Sequence, residues 1–252
     1  MPTADPVLLL HGQPGGASDW DRVRDAIGDR VPTVAIDRPG WNGRAAPSDL
    51  EGNVAAALAA LDAAGAERAV VVGHSFGGAV AASLALSHRE RVRALVLAAP
   101  SANVESLRSV DRLLAAPGVG YVVGAAALAG AGVALTTELV RSRVARELEL
   151  EDGYLRSARR MLLTPHAWRS FFTEQRLLFR DVPALEARLS EITAPATVVI
   201  GTADRVVPVS SARRLTWQLA DARLVELERA NHLLPQQRGA ELAEIILAAY
   251  SA

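Results

Sequence analysis

The length, composition and charge of this chain exclude several classes of protein. Its 252 residues suffice for one substantial core, half of them are hydrophobic, and the formal net charge of -1 offers no basic footprint for nucleic acid. The chain contains no cysteine and no lysine, which removes disulfides, thiolate zinc sites, cysteine nucleophiles and Schiff-base chemistry.

The beginning of the sequence lacks the features of a signal peptide. Its first residues, up to Pro6, carry no positive charge, and the apolar run that follows, Val7 to Leu10, is far too short for a signal peptide. We therefore expect a cytoplasmic location.

Short apolar runs alternate with helical patterns at both ends of the chain. The runs are rich in Val, Ile and Leu, which is typical of buried strands in a parallel sheet. They cover Val7–Leu10, Thr33–Ile36, Ala69–Val72, Ala94–Ala98 and Thr197–Ile200, and Arg223–Glu228 alternates as an edge strand would. Helices are predicted over Leu50–Ala64, Gly77–Ser87, Ser210–Leu219 and Gly239–Tyr250. This alternation predicts an α/β fold with a mostly parallel, doubly wound sheet.

The alternation stops between residues 101 and 194. Helical patterns but no convincing strand follow one another there, over Ser106–Leu114, Leu135–Leu148, Tyr154–Leu163 and Trp168–Phe179. An all-helical insertion between two strands predicts a cap of residues 101–194 on a core of residues 1–100 and 195–252. Its aromatic residues either line a substrate pocket or pack the cap's own interior. They are Tyr121, Tyr154, Trp168, Phe171, Phe172 and Phe179, of which Tyr121, Trp168 and Phe172 are the predicted substrate-binding residues.

One stretch of this segment is long and uncharged. Residues 113–137 are about long enough to span a bilayer, but a span would place the strands before and after it on opposite sides of the membrane. Its five glycines and Pro117 also weaken a long helix. We predict a lid over a lipophilic site and no membrane span, with surface association with lipid as the alternative.

A glycine-rich turn follows the third predicted strand. The sequence Gly73-His74-Ser75-Phe76-Gly77-Gly78 leads directly into an apolar helical run. In this strand-to-helix context a GxSxG pattern forms a sharp turn that exposes the serine hydroxyl at the carboxyl end of the sheet. A glycine-rich turn that only closes the backbone or binds phosphate is the alternative. The pattern favours Ser75 as a nucleophile.

A serine nucleophile needs a base and a group that orients the base. Of the five histidines, His232 lies in a loop between the edge strand and the last helix, whereas His74 is expected to point away from the nucleophile. Asp204 follows the predicted strand Thr197–Ile200. It lies between Ser75 and His232 in the chain, and serine, acid, histidine is the chain order that a catalytic triad has in this fold. We predict that Asp204 accepts a hydrogen bond from His232 and fixes its tautomer. Asp181 and Asp221 look like surface charges.

Acyl transfer also needs donors for a developing oxyanion. The loop His11-Gly12-Gln13-Pro14 follows the first strand, which is where this fold supplies one backbone N–H, and the residue after the nucleophile, Phe76, supplies the other. Pro14 has no N–H, so Gln13 is the predicted donor.

With these residues in place, the chain resembles the capped α/β-hydrolase superfamily over about residues 5–100 and 195–252. That superfamily includes esterases, lactonases, C–C bond hydrolases, proline iminopeptidases and cofactor-free haloperoxidases. Its epoxide hydrolases and dehalogenases carry an aspartate at the elbow, so Ser75 argues against both. The segment Asp37–Arg44 departs from the common DxPGxGxS turn by an extra residue and a lost serine, and Trp41 either projects into the pocket or covers a surface.

The resemblance implies a serine hydrolase that uses no cofactor and no metal and acts on a small molecule. An apolar cap without a dedicated charge clamp favours a carboxylic ester with a largely apolar part. Lactone, thioester or C–C bond cleavage by the same triad is the alternative within enzymes. A ligand-binding protein that keeps the hydrolase fold is the alternative outside them. Oligomeric state is not readable from the sequence.

Overall fold

The computed structural model describes residues 5–43, 45–108, 112, 116 and 118–251. Its six strands form one sheet in the order β2-β1-β3-β4-β5-β6, and every neighbouring pair is parallel. The strands are β1 (Val7–Leu10), β2 (Thr33–Ile36), β3 (Ala69–His74), β4 (Val92–Ala98), β5 (Ala196–Gly201) and β6 (Ala222–Leu227). The predicted fold class, a parallel α/β sheet with β6 at an edge, is confirmed.

Two groups of helices flank this sheet. The first group pairs α1 (Asp21–Ile27) with α10 (Gly239–Ser251), and the second pairs α2 (Leu50–Ala63) with α3 (Phe76–Ser87). The helix α8 (Val209–Gln218) follows β5, and the short α9 (Leu234–Gln237) precedes α10. Small residues such as Ala and Gly dominate α3 and are buried almost throughout, which lets this helix lie close to the sheet.

A run of four helices connects β4 to β5. These are α4 (Val119–Ala134), α5 (Glu138–Leu148), α6 (Asp152–Leu162) and α7 (Pro165–Glu186). The long helix α7 packs against α2 and α3 and buries Phe172, Leu178, Val182 and Leu185, so it joins this helical segment to the sheet region.

The boundaries differ from the sequence-based expectations in three places. Helix α1 was not predicted, because its seven residues include few apolar ones. Helix α4 forms over 16 residues despite its glycines, since neighbouring helices pack against it. Ser106 ends a short 3-10 helix and does not begin an α-helix, and most of the remaining predicted helix up to Leu114 lies outside the described residues.

No single helix in the described part of the chain is long and apolar enough to cross a membrane. The helices over Gly120–Ala134 and Glu138–Leu148 have the length and apolar composition of a membrane span only when they are taken together, and they are bent by 101° relative to each other.

Candidate active site

Ser75 occupies a strained turn between β3 and α3. Its φ of 52° and ψ of -117° lie in a region that non-glycine residues rarely adopt and that costs about 1 to 3 kcal/mol. The turn is held on both sides, because the Ser75 N–H donates to Ala98 O at 3.0 Å and the Ser75 carbonyl accepts from Gly78 N at 2.9 Å and Ser101 N at 3.0 Å. The backbone network of β4 and the following loop thus maintains the strain.

The glycines on either side of Ser75 are required by the spacing of the backbone. A Cβ atom on Gly73 would lie 2.1 Å from Gly77 O, and a Cβ atom on Gly77 would lie 2.2 Å from Leu10 O at the end of β1. Neither contact is possible without moving main chain. The GxSxG spacing is therefore a packing requirement of a turn that presses against the neighbouring strand.

His232 and Asp204 form a hydrogen-bonded pair. The distance from His232 Nδ1 to Asp204 Oδ2 is 2.8 Å, and the Asp204 side chain is fully buried. The other carboxylate oxygen accepts from the N–H groups of Val206 at 2.8 Å and Val207 at 2.9 Å, which fixes the orientation of the carboxylate. Because a carboxylate only accepts, Nδ1 carries the proton and Nε2 is left with a lone pair.

The atoms that would react are free of internal partners. Neither Ser75 Oγ nor His232 Nε2 makes a hydrogen bond to another described residue, and the N–H groups of Gln13 and Phe76 have no partner in the same part of the chain. A Cβ atom on Gly12 would lie 3.1 Å from Ser75 Cβ, so the loop that carries Gln13 passes directly over the nucleophile. A free hydroxyl, a free imidazole nitrogen and free N–H groups are the kinds of group that attack on a carbonyl and stabilisation of an oxyanion use.

His74 contacts the loop that carries His232. Its ring lies 5.0 Å from the ring of His232, and its Nε2 donates to the backbone carbonyl of His232 at 2.8 Å. Burial, followed by the nearby His232, lowers the pKa of His74 to about 3, so the ring stays neutral. His74 therefore helps to hold the loop of His232, and its orientation relative to Ser75 stays a prediction. Its place beside Ser75 in the sequence was the signal for this role.

A buried arginine supports the loop that passes over the nucleophile. Arg38 donates from Nε to His11 O and from Nη2 to Gly12 O, each at 2.8 Å, and its guanidinium lies 4.5 Å from the centre of the Phe76 ring. Its charge is matched by Glu174 of α7, with Nη1 2.5 Å from Oε1 and both side chains at most 1% exposed. Burial raises the pKa of Glu174, and Arg38 opposes that rise.

Trp41 joins the same buried cluster. Its Nε1 donates to Glu174 Oε1 at 3.0 Å, and its ring meets His11 edge-on with the centroids 6.2 Å apart. The prediction that Trp41 contacts substrate is therefore corrected: the ring is only 7% exposed and lies within the interior. The segment after β2 thus anchors α7, a role that the sequence could not indicate because Glu174 is remote in the chain.

A cavity of about 250 Å³ opens next to the base. His74, His232 and Gln13 lie on one side, and Ser75, which is 6% exposed, is not among the lining residues. Most of the remaining wall is apolar and comes from the helices α5 and α6 and the residues that flank them, with Leu135, Leu148, Leu150, Leu155, Met161 and Leu162.

Of the aromatic residues expected to line a pocket, Tyr154 lines this cavity, but Tyr121, Trp168 and Phe172 do not. Tyr121 and Phe172 pack edge-on at 5.0 Å, Phe172 is fully buried, and Trp168 donates from Nε1 to Leu162 O at 2.6 Å. The prediction for these three residues is corrected because their rings pack among α4, α6 and α7, whereas leucines form most of the cavity wall.

The cavity carries no positive charge among its described lining residues. Its one ionisable acid is Asp19, and burial raises the pKa of this carboxyl to about 7. Within the described part of the chain, no cluster of His, Cys, Asp and Glu could hold a metal ion.

Comparison with known proteins identifies the family. A family model described as the alpha/beta hydrolase family matches residues 7–245, so the chain belongs to the α/β-hydrolase family and is a hydrolase. A 2-hydroxy-6-oxononadienedioate/2-hydroxy-6-oxononatrienedioate hydrolase from Burkholderia vietnamiensis is 31% identical to this chain over 255 residues. This alignment covers 90% of this chain and 80% of that protein.

Solved structures of two kinds of hydrolase share the fold. A variant of a meta-cleavage product hydrolase from Pseudomonas fluorescens is 21% identical to this chain and has a TM-score of 0.74. The match covers all of this chain and 92% of that chain. A thermophilic esterase from Thermogutta terrifontis has a TM-score of 0.72 at 21% identity, with 98% of this chain and 90% of that chain covered. At this level of identity the two structures establish the architecture alone.

Proposed function

We propose that this protein is a serine hydrolase that cleaves carboxylic esters with a largely apolar acyl or alcohol part. The observation that carries the proposal is the coincidence of three features at one end of the sheet: the strained Ser75 turn, the His232–Asp204 pair at 2.8 Å, and unpartnered N–H groups of Gln13 and Phe76. Each has a defined role in acyl transfer.

The proposed reaction has two steps. Ser75 Oγ attacks the carbonyl carbon while its proton passes to His232 Nε2, and the N–H groups of Gln13 and Phe76 stabilise the oxyanion. Collapse of this intermediate expels the alcohol, which takes the proton from His232. A water molecule then gives its proton to His232 and attacks the acyl carbon, and the acid leaves as Ser75 regains its proton. Asp204 stabilises the imidazolium in both steps.

The lining of the cavity favours a neutral, apolar substrate. Leucines and a methionine form most of its wall, and no arginine lies among the described lining residues. Transfer of a carboxylate into such an environment without a cation is strongly unfavourable. An uncharged ester fits this environment without that penalty.

C–C bond hydrolysis is the second candidate function, and it is favoured by the names of the relatives. The Burkholderia protein is named for a dienedioate, which is a dicarboxylate, and a relative from Comamonas testosteroni, 27% identical, is named for a phenylhexadienoate. The phenyl compound is a monoanion with an apolar end, so it suits an apolar cavity better than the dicarboxylate does.

A substrate panel tests both candidates on one preparation. We expect the protein to hydrolyse 4-nitrophenyl butanoate or hexanoate with a kcat/KM well above that for 2-hydroxy-6-oxo-6-phenylhexa-2,4-dienoate, and the Ser75→Ala variant to lose both activities. Faster turnover of the dienoate than of every ester would overturn the ester proposal in favour of C–C cleavage. Binding of these compounds without any turnover would favour the ligand-binding alternative.

A further inference from the structure

One end of the cavity is closed by polar side chains that the proposed reaction does not use. Asp19, Tyr154, Ser157 and Gln236 line both the apolar cavity and a neighbouring groove of about 330 Å³, so they form the wall between these two spaces. We call these four residues the polar neck. It lies at the junction of the loop after β1, helix α6 and the short helix α9.

The polar neck contains a buried acceptor without a donor. Gln236 is 4% exposed, and its Oε1 has no hydrogen-bond partner within the described residues. The backbone of this residue is fixed, because its carbonyl accepts from Arg22 Nη1 at 2.6 Å. In the adjacent cavity wall Gln13 Oε1 is likewise buried and unpartnered. Buried polar atoms in proteins almost always have partners, so two unpartnered acceptors on residues that line one cavity point to a donor that arrives with a ligand.

The carboxyl group of Asp19 is held in place but is not neutralised. Its Oδ2 accepts from Gly16 N at 3.2 Å, and a Cβ atom on Gly15 would lie only 2.4 Å from the same oxygen, so the glycine makes room for the carboxyl group. Among the described residues, no arginine forms an ion pair with it. Burial raises the pKa of this carboxyl to about 7, outweighing its hydrogen bonds with the Gly16 N–H and the Gln236 side chain, so Asp19 and Gln236 already lie in contact within the polar neck.

We propose that the polar neck binds a hydroxyl or ammonium group at the far end of the substrate's apolar chain, with the Asp19 carboxyl and the Gln236 amide oxygen as acceptors. This inference rests on the proposed ester hydrolase function and deepens it. A donor at the chain end would satisfy acceptors that a plain alkyl chain would leave buried and unpaired, which is the situation in which a site discriminates most strongly between substrates.

Ethyl esters of three chain types test this preference. Hydrolysis of the unsubstituted, ω-hydroxy and ω-amino esters of butanoic, hexanoic and octanoic acid is followed by titration of the released acid. We expect, at one chain length, a kcat/KM for the hydroxy or amino ester that exceeds that of the unsubstituted ester by on the order of tenfold or more. The comparison of the hydroxy with the amino ester identifies which donor the polar neck prefers.

Two variants separate the polar neck from the reactive groups. Gln236→Leu and Asp19→Asn are expected to lower the ratio of kcat/KM for the donor-bearing ester to kcat/KM for the unsubstituted ester at least several-fold. Asp25→Asn, which removes an exposed acid from α1, is the matched charge control and leaves the preference unchanged. Loss of activity on all esters to the same extent in both polar-neck variants would overturn the proposal, because it would indicate a purely structural role.

A binding measurement keeps this inference distinct from the proposed function. Calorimetric titration of the Ser75→Ala variant with 1-hexanol, 1,6-hexanediol and 6-amino-1-hexanol does not depend on turnover. Tighter binding of the diol or amino alcohol, lost in Ser75→Ala/Asp19→Asn, supports the polar neck even if no ester is hydrolysed. Equal binding of all three compounds, together with Ser75-dependent hydrolysis that ignores the chain end, would overturn the inference and leave the hydrolase function intact.

Discussion

The sheet and the helices between β4 and β5 bury their side chains to very different extents. Every residue of β1, β3 and β5 is buried, whereas α5 buries none of its residues and α6 buries only Leu155. Helix α4 exposes more than half of the side-chain surface of Val122, Val123 and Val133. The core therefore fixes the positions of the reactive residues, while the helices that cover them depend on far fewer buried contacts.

This difference assigns chemistry and selectivity to different regions. The proposed nucleophile and acid follow the buried strands β3 and β5 and the proposed base follows the edge strand β6, whereas most leucines of the cavity wall are on or beside α5 and α6. Substitutions in these helices are therefore expected to alter substrate preference more than the reactive groups.

The largest expected effect comes from the buried acid of the triad. Asp204→Asn keeps the shape of the side chain but presents an amide to His232 Nδ1, so the ring adopts the wrong tautomer for accepting the Ser75 proton. We expect kcat for 4-nitrophenyl butanoate to fall by about 10⁴-fold with little change in thermal stability. A decrease of less than tenfold would mean that Asp204 does not orient the base. Asp221→Asn is the control and leaves kcat unchanged.

The ion pair between Arg38 and Glu174 tests the connection between the two regions. Glu174→Gln leaves the buried guanidinium without a countercharge, and we expect the free energy of unfolding to fall by about 3 to 5 kcal/mol in a denaturant titration. Glu191→Gln removes an exposed partner of Arg188 and should leave the unfolding midpoint unchanged. An unchanged midpoint for Glu174→Gln would show that α7 is held by apolar contacts alone.

His74 tests a smaller effect within the core. His74→Leu removes the donor to the His232 carbonyl. We expect kcat to fall on the order of tenfold, because a tenfold change corresponds to about 1.4 kcal/mol, which is the contribution typical of one hydrogen bond. His74→Gln keeps an N–H donor and should recover part of the loss. Equal kcat values for the two variants would contradict a positioning role.

Asp19 offers a test through the pH dependence of stability. Because burial, with Asp21 and Asp37 nearby, raises the folded-state pKa from 3.8 to about 7, the native state retains a proton that the unfolded chain releases. The resulting stability is present below about pH 4 and is lost as the pH rises through 7. The melting temperature of Asp19→Asn relative to the native chain should therefore increase between pH 5 and pH 8. Asp25→Asn should show no such trend, and a constant difference for Asp19→Asn would contradict the prediction.

The sequence predicted the sheet well because buried parallel strands leave a strong signature. Continuous runs of Val, Ile and Leu marked five of the strands to within two residues, and the GxSxG turn marked Ser75 because only glycine fits beside the end of β1. These signals are local in the chain. Their strength depends on burial, which is nearly complete in this region.

The covering helices and the supporting residues were predicted less well because their signals are remote or weak. Large aromatic side chains suit both a substrate pocket and a hydrophobic core. Only the packing of the folded chain decides which of the two contains Tyr121, Trp168 and Phe172. Glu174 lies far along the chain from Arg38, so neither residue revealed the pair. Asp19 and Gln236 meet at one cavity only because the loop after β1 and helix α9 converge there.

Labelling with a fluorophosphonate tests the central claim most directly. The probe reacts with an activated serine and adds a fixed mass, which intact-mass measurement detects on the folded protein. We predict one adduct on the native chain and none on Ser75→Ala. The absence of an adduct on folded native protein, or an adduct that persists in Ser75→Ala, would contradict the assignment of Ser75 as the nucleophile.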